Sequence, residues 1–123
     1  MSARFGLAAL LLMPLTTTSV LASCVTEHFH FLTHGDAVTT SEVLRSGDTC
    51  FHTLRNNAGA GNIFYQLGTA QAPGHGTLTI SGSAFQYRSS KDYRGPDSYA
   101  VKICMESPRG RGCSIVIFNA DII

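Results

Sequence analysis

Between residues 73 and 99 the chain reads PGHGTLTI (73–80), FQYR (85–88) and YRGPDSY (93–99). Within this segment, turn residues separate short runs in which apolar and polar side chains alternate. Alternation with period 2, bounded by glycine, proline and aspartate, is typical of antiparallel strands that follow one another along the chain. The segment therefore predicts a β-rich fold.

The same pattern continues on both sides of this segment. Strands are predicted at residues 25–33, 37–45, 49–55, 63–67, 77–81, 84–88, 98–105 and 113–120. Turn-forming residues separate them, for example in the connections at 56–62 and 106–112. No segment has a helical period. Seven or eight short strands at this spacing predict an all-β sandwich or barrel.

The first 22 residues have the order of a secretory signal peptide. Arg4 is the only charged side chain before Glu27, residues 5–15 are almost entirely apolar, and small residues precede Ala22. This apolar run is too short to span a bilayer, and no later run is longer. We predict cleavage after Ala22, an exported protein in the periplasm or outside the cell, and one domain over residues 23–123.

Residues 21–24 (LASC) also resemble the lipobox of bacterial lipoproteins, in which the cysteine is acylated and becomes the new N-terminus. A polar Thr/Ser patch separates the apolar run from this box, which argues against lipidation. The two alternatives differ in the fate of Cys24, which is either a lipid anchor or half of a disulfide.

Four cysteines in an exported chain predict two disulfides. Of the three possible pairings we predict Cys24–Cys50 and Cys104–Cys113, because each joins segments that are near neighbours in a meander of strands. On the chain-entropy model these bonds would stabilise the fold by roughly 3.5 and 2.7 kcal/mol respectively. A zinc site is the competing interpretation, but the chain lacks the short cysteine spacing that such sites use.

The second pair implies a register for the last hairpin. With Cys104 opposite Cys113, one face of the hairpin would hold Tyr99, Val101, Ile103, Val116 and Phe118, which is a good core face. Ile115 and Ile117 would lie on the opposite face, which is then unusually apolar. We predict a bulge near Cys113 that shifts the register. Cover by a neighbouring element or partner is the alternative.

Charge argues against a nucleic-acid surface. Without Arg4, eight basic and eight acidic side chains cancel. Six of the basic ones lie in the C-terminal third, but four acidic ones lie among them, so the local field is too weak for nucleic-acid binding.

Residues 73–99 resemble the bacterial Ig-like and cadherin-like repeats of exported surface proteins. The residues that carry the resemblance are Pro73, Gly76, Thr77, Phe85, Tyr87, Gly95, Asp97, Ser98 and Tyr99. The resemblance implies an Ig-like antiparallel β-sandwich of about seven to eight strands, with a role in adhesion or scaffolding. Such repeats usually occur in tandem, whereas this chain has one copy, and it lacks the acidic clusters that bind calcium in cadherins.

We assign these residues structural roles. Gly76 and Gly95 suit turn positions with positive φ, and Asp97 suits an Asx turn that receives nearby backbone amides. Tyr99 is expected to enter the core, where loop carbonyls would satisfy its hydroxyl group.

Motifs for catalysis are missing from the sequence. No G-x-S-x-G elbow is present, the two Gly-x-Gly segments lack a third glycine, and Glu27, Glu42 and Glu106 form no evident pair. We therefore predict a protein that is not an enzyme and needs no cofactor.

Two groups of residues are candidates for contact with a ligand. Arg109 and Arg111, in a loop tethered by the second disulfide, suit a carboxylate, sulfate or phosphate on a partner protein or cell-surface component, and an enzyme inhibitor is one form of this function. His28 and His30, with His52 as a third member, suit zinc or copper. For the histidines we favour exposed strand residues without a metal. For the two arginines we favour a hairpin tip that keeps the protein soluble over a binding role.

Overall fold

The computed structural model describes residues 24–29, 35–54 and 63–123. The strands are β1 (Cys24–Thr26), β2 (Ala37–Leu44), β3 (Thr49–Thr53), β4 (Ile63–Gln71), β5 (Gly76–Ser81), β6 (Ala84–Ser89), β7 (Gly95–Ser107) and β8 (Gly110–Ile122). The predicted all-β sandwich is confirmed. The predicted leader, the connection at 56–62 and His30 lie outside the described residues. Among the described residues, no helix is long and apolar enough to cross a membrane.

Two sheets face each other. The larger sheet has the order β1-β2-β8-β7-β4 and the smaller one has the order β3-β6-β5. Described neighbours are antiparallel except for β2 and β8, which run parallel with Ala37 opposite Ile115 and Leu44 opposite Ile122. A parallel neighbour requires a long connection, and here most of the domain lies between the two strands. This pair is the departure from a wholly antiparallel arrangement.

The last hairpin is longer than predicted. Strands β7 and β8 have 13 residues each, and they pair without a break up to Ser107 opposite Gly110. The predicted seven-residue connection is therefore a two-residue turn, after which Gly110 has a φ of 111°. Cys104 lies opposite Cys113, as predicted.

The predicted bulge near Cys113 is wrong. Strand β8 has a partner on each side, so a bulge there would interrupt two ladders. The register shifts instead lie in the pairing of β4 with β7, between Phe64 and Gln66 and between Thr69 and Gln71. Bulges concentrate in strands at sheet edges, and β4 is the terminal strand of its sheet.

The core lies between the two sheets and contains the predicted face of the last hairpin. Its five members Tyr99, Val101, Ile103, Val116 and Phe118 are each at most 1% exposed. The ring of Tyr99 stacks on Phe118 at 4.9 Å and on Tyr87 of the smaller sheet at 4.6 Å. The period-2 pattern therefore places these side chains in the interior as predicted.

Asp97 organises the corner that leads into β7. One carboxylate oxygen accepts hydrogen bonds from the backbone amides of Gly74 (2.9 Å) and Ser98 (2.8 Å). The other accepts from the amide of His75 (3.0 Å) and the hydroxyl of Tyr87 (2.6 Å). The predicted bonds to backbone amides are present, but they come from the next residue and from a distant loop, not from the amide two residues on that defines an Asx turn. The same carboxylate also joins both sheets through Tyr87.

The two glycines of this region have different roles. Gly95 has a φ of 133°, as predicted for a turn position. The prediction of a positive φ at Gly76 is wrong. A Cβ at Gly76 would instead lie 2.5 Å from the carbonyl oxygen of Arg88 and 2.5 Å from the ring of Tyr87. Close approach of neighbouring strands is therefore the reason for glycine there. Pro73 is half-buried before this strand.

Candidate functional site

The side of the larger sheet that faces away from the core gathers chemically distinct side chains beside the last hairpin. They are Ile63 and Tyr65 of β4, Lys102, Cys104 and Glu106 of β7, and Arg111, Cys113 and Ile115 of β8. We call this set the hairpin face. Three of its members are large and apolar yet well exposed: Ile63 by 51%, Tyr65 by 42% and Ile115 by 38%.

The two predicted arginines do not share one loop, which corrects the sequence prediction. Arg109 lies in the two-residue turn, where its backbone amide donates a hydrogen bond to Ser107 Oγ at 3.2 Å. Arg111 lies in β8, because the turn is shorter than expected. Its guanidinium carbon is 5.4 Å from the ring centroid of Tyr65, and its Nε is 3.7 Å from Glu106 Oε1.

The Cys104–Cys113 disulfide lies in the middle of the hairpin face. Its Cα atoms are 4.0 Å apart across the β7–β8 ladder. Cys104 is 1% exposed, whereas Cys113 is half-buried, and the hydroxyl of Tyr65 lies 3.8 Å from Cys113 Sγ. An aromatic ring, a guanidinium group and a disulfide therefore adjoin one another on an open sheet surface.

The Cys24–Cys50 disulfide lies on the other side of the larger sheet and joins it to the smaller one, with Cα atoms 5.2 Å apart. Both predicted pairings are therefore confirmed. Cys50 is fully buried within the core. In the described part of the chain, the one group of three side chains that could hold a metal ion is Cys24, Cys50 and Glu42, and both of its sulfur atoms are joined in this disulfide.

Glu42 is a fully buried acid beside this disulfide. Its Oε1 accepts a hydrogen bond from the hydroxyl of Tyr99 at 2.5 Å. Its Oε2 lies 3.4 Å from Thr26 Oγ1 and 3.2 Å from His52 Nε2. The prediction that loop carbonyls satisfy Tyr99 is therefore wrong, because a carboxylate from β2 does so.

The two buried tyrosines share this environment. Burial raises the pKa of Tyr99 far above its ordinary value, and the adjacent charge of Glu42 raises it further. Burial and the hydrogen bond to Asp97 likewise raise the pKa of Tyr87. Each phenol is thereby held as a neutral hydrogen-bond donor to a carboxylate.

Sequence reasoning missed Glu42 and Tyr65. A signal for Glu42 exists, since it alternates with Thr40 and Leu44 on the inward face of β2. For Tyr65 the sequence holds no such signal, because the register shift beside it determines which face of the sheet its side chain lies on.

The predicted metal-binding histidines are only partly brought together. His28 and His52 both line a cavity of about 380 Å³ next to β3, with Phe51, Phe85 and other side chains. The ring of His52 stacks on Phe85 at 4.9 Å. In the ranges that the structure describes, neither histidine belongs to a group of three potential metal ligands.

No protein-family model matches this chain, and no curated protein matches its sequence. The hairpin face combines apolar and charged groups. It offers exposed apolar area, a guanidinium group held over an aromatic ring, and one further cation, Lys102, against one acid, Glu106.

Proposed function

We propose that this protein is an exported Ig-like module, stabilised by two disulfides, that acts without catalysis by binding a partner protein at the hairpin face. The partner would present carboxylate groups next to apolar side chains. An adhesive or scaffolding role is one form of this function, and inhibition of an enzyme through the arginines is another.

The strand order supports the Ig-like class. In Ig domains strands B, E and D share one sheet, while strands C, F and G share the other. The smaller sheet here has the order β3-β6-β5, and β4, β7 and β8 adjoin one another in the larger one. If β2 is taken as strand A, then β3, β6 and β5 correspond to strands B, E and D. Likewise, β4, β7 and β8 correspond to strands C, F and G.

The two disulfides support export. Both bonds lie within this chain, and no cysteine of the chain is free. Disulfides persist in oxidising compartments and are rare in the cytosol. They agree with the signal peptide that the first 22 residues predict.

The observation that carries the binding function is the placement of Arg111 over Tyr65, on the face that also holds exposed Ile63 and Ile115. Tyrosine and arginine are enriched where interfaces gain most of their binding energy, because a ring or guanidinium plane buries a large area and still forms directed hydrogen bonds. A carboxylate would take the outward hydrogen-bond donors of Arg111, and its apolar neighbours would cover Ile63 and Ile115.

The test is selection from a displayed random peptide library on immobilised wild-type protein. We expect the enriched peptides to carry Asp or Glu beside aromatic or aliphatic residues. Their affinity should fall about tenfold or more for Arg111→Ala and for Tyr65→Ala, which corresponds to the loss of one strong interface contact.

Lys91→Ala is the matched control, because Lys91 is an exposed cation in the turn after β6 and lies outside the hairpin face. It should leave peptide affinity unchanged. Peptides without acidic residues, or peptides that bind Arg111→Ala as tightly as wild type, would overturn the proposal.

A second candidate function is metal binding at the cavity that His28 and His52 line. Glu42 Oε2 lies 3.2 Å from His52 Nε2, and a carboxylate that orients one ring nitrogen is a common partner of a metal-ligating histidine. Calorimetric titration with Zn²⁺ and Cu²⁺ tests it. Binding weaker than about 10 μM, or binding that His52→Ala retains in full, would end this candidate.

A further inference from the structure

We propose that Cys104–Cys113 is a redox-active pair that exchanges with a thiol or dithiol carried by a molecule docked on the hairpin face. The inference rests on the proposed function, because it names the chemical group carried by a molecule that binds at the hairpin face. The reactivity of the disulfide does not depend on a bound partner, so it can be tested with a small thiol.

The position of this bond sets it apart from the other disulfide. Cys50 belongs to the core and Cys24 packs against it, so breaking that bond would release a contact between the two sheets. Cys104 and Cys113 are not members of the described core cluster, and they face outward from the larger sheet. Both cysteines lie in the larger sheet, so breaking this second bond releases no contact between the two sheets.

The fold does not need this bond to hold the hairpin together. Strands β7 and β8 pair over 13 consecutive positions, and Cys104–Cys113 bridges only one of them. Strand β4 pairs with the outer edge of β7, and β2 pairs with the outer edge of β8. The reduced and oxidised forms are therefore expected to share one fold, as a reversible redox pair requires.

The two sulfur atoms differ in accessibility. Cys113 is half-buried, whereas Cys104 is 1% exposed. An incoming thiolate therefore reaches Cys113, and Cys104 is the sulfur that leaves and later returns. The mixed disulfide therefore forms at Cys113 both when the protein is reduced and when it is reoxidised.

The surroundings of Cys113 favour its thiolate. The Tyr65 hydroxyl, at 3.8 Å from Cys113 Sγ, can donate a hydrogen bond to it. Arg111 lies on the same face two residues before Cys113, with its guanidinium over that same ring. Lys102 is a further cation of this face, and Glu106 is the one acid that opposes them, at 3.7 Å from Arg111 Nε. Neighbouring cations and hydrogen-bond donors make a thiol more acidic and more reactive at neutral pH.

The exchange balances with an external thiol as reductant. An incoming thiolate attacks Cys113 Sγ, a new S–S bond forms to Cys113, and the Cys104–Cys113 bond breaks. Cys104 leaves as a thiolate and takes a proton from water. A second external thiolate then attacks the external sulfur of the mixed disulfide, and Cys113 is released. The protein gains two electrons and two protons, and the two external thiols become one disulfide.

The first experiment treats native wild-type protein with reduced glutathione, alkylates free thiols at intervals and locates them by peptide mass spectrometry. We expect Cys104 and Cys113 to be labelled about tenfold faster or more than Cys24 and Cys50, while the circular dichroism of the protein stays unchanged. Equal rates for the two bonds, or labelling only as the protein unfolds, would overturn the proposal.

The second experiment uses Cys104→Ser, in which Cys113 is left without its disulfide partner. With oxidised glutathione this variant should form a stable mixed disulfide at Cys113. Its alkylation rate at pH 7 should fall severalfold when Arg111→Ala or Tyr65→Phe is added, and should not change when Lys91→Ala is added.

The converse variant Cys113→Ser separates exchange from simple exposure. The buried Cys104 thiol should react with oxidised glutathione about tenfold more slowly than Cys113 does in Cys104→Ser. Equal reactivity of the two cysteines would refute the assigned roles.

If peptide selection fails while these thiol assays succeed, the proposed binding surface is wrong and the redox pair stands. The opposite outcome removes the redox pair alone.

Discussion

Each face of the larger sheet holds a disulfide, an acidic residue and a tyrosine. On the inner face, Cys24–Cys50, Glu42 and Tyr99 are enclosed by the second sheet, and the carboxylate is fully buried. On the outer face, Glu106 and Tyr65 are exposed, and the Cys104–Cys113 disulfide is half-buried at Cys113 and buried at Cys104. The same residue types thus form a hydrogen-bonded interior network on one face and a partly exposed surface on the other.

The difference follows from solvation. Among the described residues, every buried polar side-chain atom has a hydrogen-bond partner, and Glu42 meets this requirement through three donors. Glu106 has water available and needs no such set. The buried acid therefore stabilises the fold only as part of its hydrogen-bond network. The exposed acid affects only the electrostatic potential at its neighbours.

The largest expected contrast is between these two acids. Glu42→Ala would leave the groups of Tyr99, Thr26 and His52 without their acceptor, and it should lower the free energy of unfolding by about 3–5 kcal/mol. Glu106→Ala should change it by less than about 0.5 kcal/mol, because its ion pair with Arg111 is exposed. Urea denaturation measures both.

Glu42→Gln sharpens the comparison, since the amide keeps one acceptor oxygen in the same volume. It should recover part of the loss seen in Glu42→Ala. Equal effects of alanine at both acidic positions would mean that the interior network contributes nothing to stability.

The two disulfides give the next contrast. Replacing Cys24 and Cys50 by alanine should cost about 3.5 kcal/mol from the unfolded-chain entropy, and more from lost core packing. Replacing Cys104 and Cys113 should cost no more than about 2.7 kcal/mol, because the bond closes a shorter loop on an exposed face. Chemical denaturation of the two double variants decides the order, and a larger loss for the outer pair would reverse the comparison.

Alkaline pH should act on the inner face. The pKa values of Tyr87 and Tyr99 are raised in the folded state, so their stabilisation is fully present below about pH 10, the ordinary tyrosine pKa. Above about pH 10 the phenols can ionise only in the unfolded chain, and each should lower the unfolding free energy by about 1.4 kcal/mol per pH unit.

Denaturation midpoints measured in steps above about pH 10 test this prediction. Tyr99→Phe removes one of the two ionising phenols. The decrease of its unfolding free energy with pH should therefore be shallower than that of wild type by about 1.4 kcal/mol per pH unit. Parallel pH profiles for the two proteins would show that Tyr99 ionises as readily in the folded state as in the unfolded one.

Adjacent residues of β8 give the smallest contrast. Val116 is fully buried, and Val116→Thr would place a hydroxyl in the core at a cost of about 1–3 kcal/mol. Ile115 is 38% exposed on the outer face, so Ile115→Thr should cost less, under about 1 kcal/mol. Thermal unfolding of the two variants measures the difference, and equal losses would indicate that the outer face is as enclosed as the core.

Local patterns in the sequence predicted much of this fold because they depend on neighbours in the chain. Alternation predicted the eight strands, and the cysteine positions predicted the register in which Tyr99 lies opposite Phe118. The role of Gly95 followed from its own conformational preference. The candidate site was predicted less well, since only Arg111, Ile115 and the two cysteines of the hairpin face were identified in advance.

By itself, the sequence determined the all-β class, the pairing of the cysteines and the core face of the last hairpin, since period 2 assigns alternate side chains to opposite faces. The tertiary structure decided the parallel pairing of β2 with β8, the burial of Glu42 beside Cys24–Cys50, and the contact of Arg111 with Tyr65. These features join segments far apart in the chain. Long-range contacts of this kind depend on how the whole interior packs, and no short stretch of sequence carries that information.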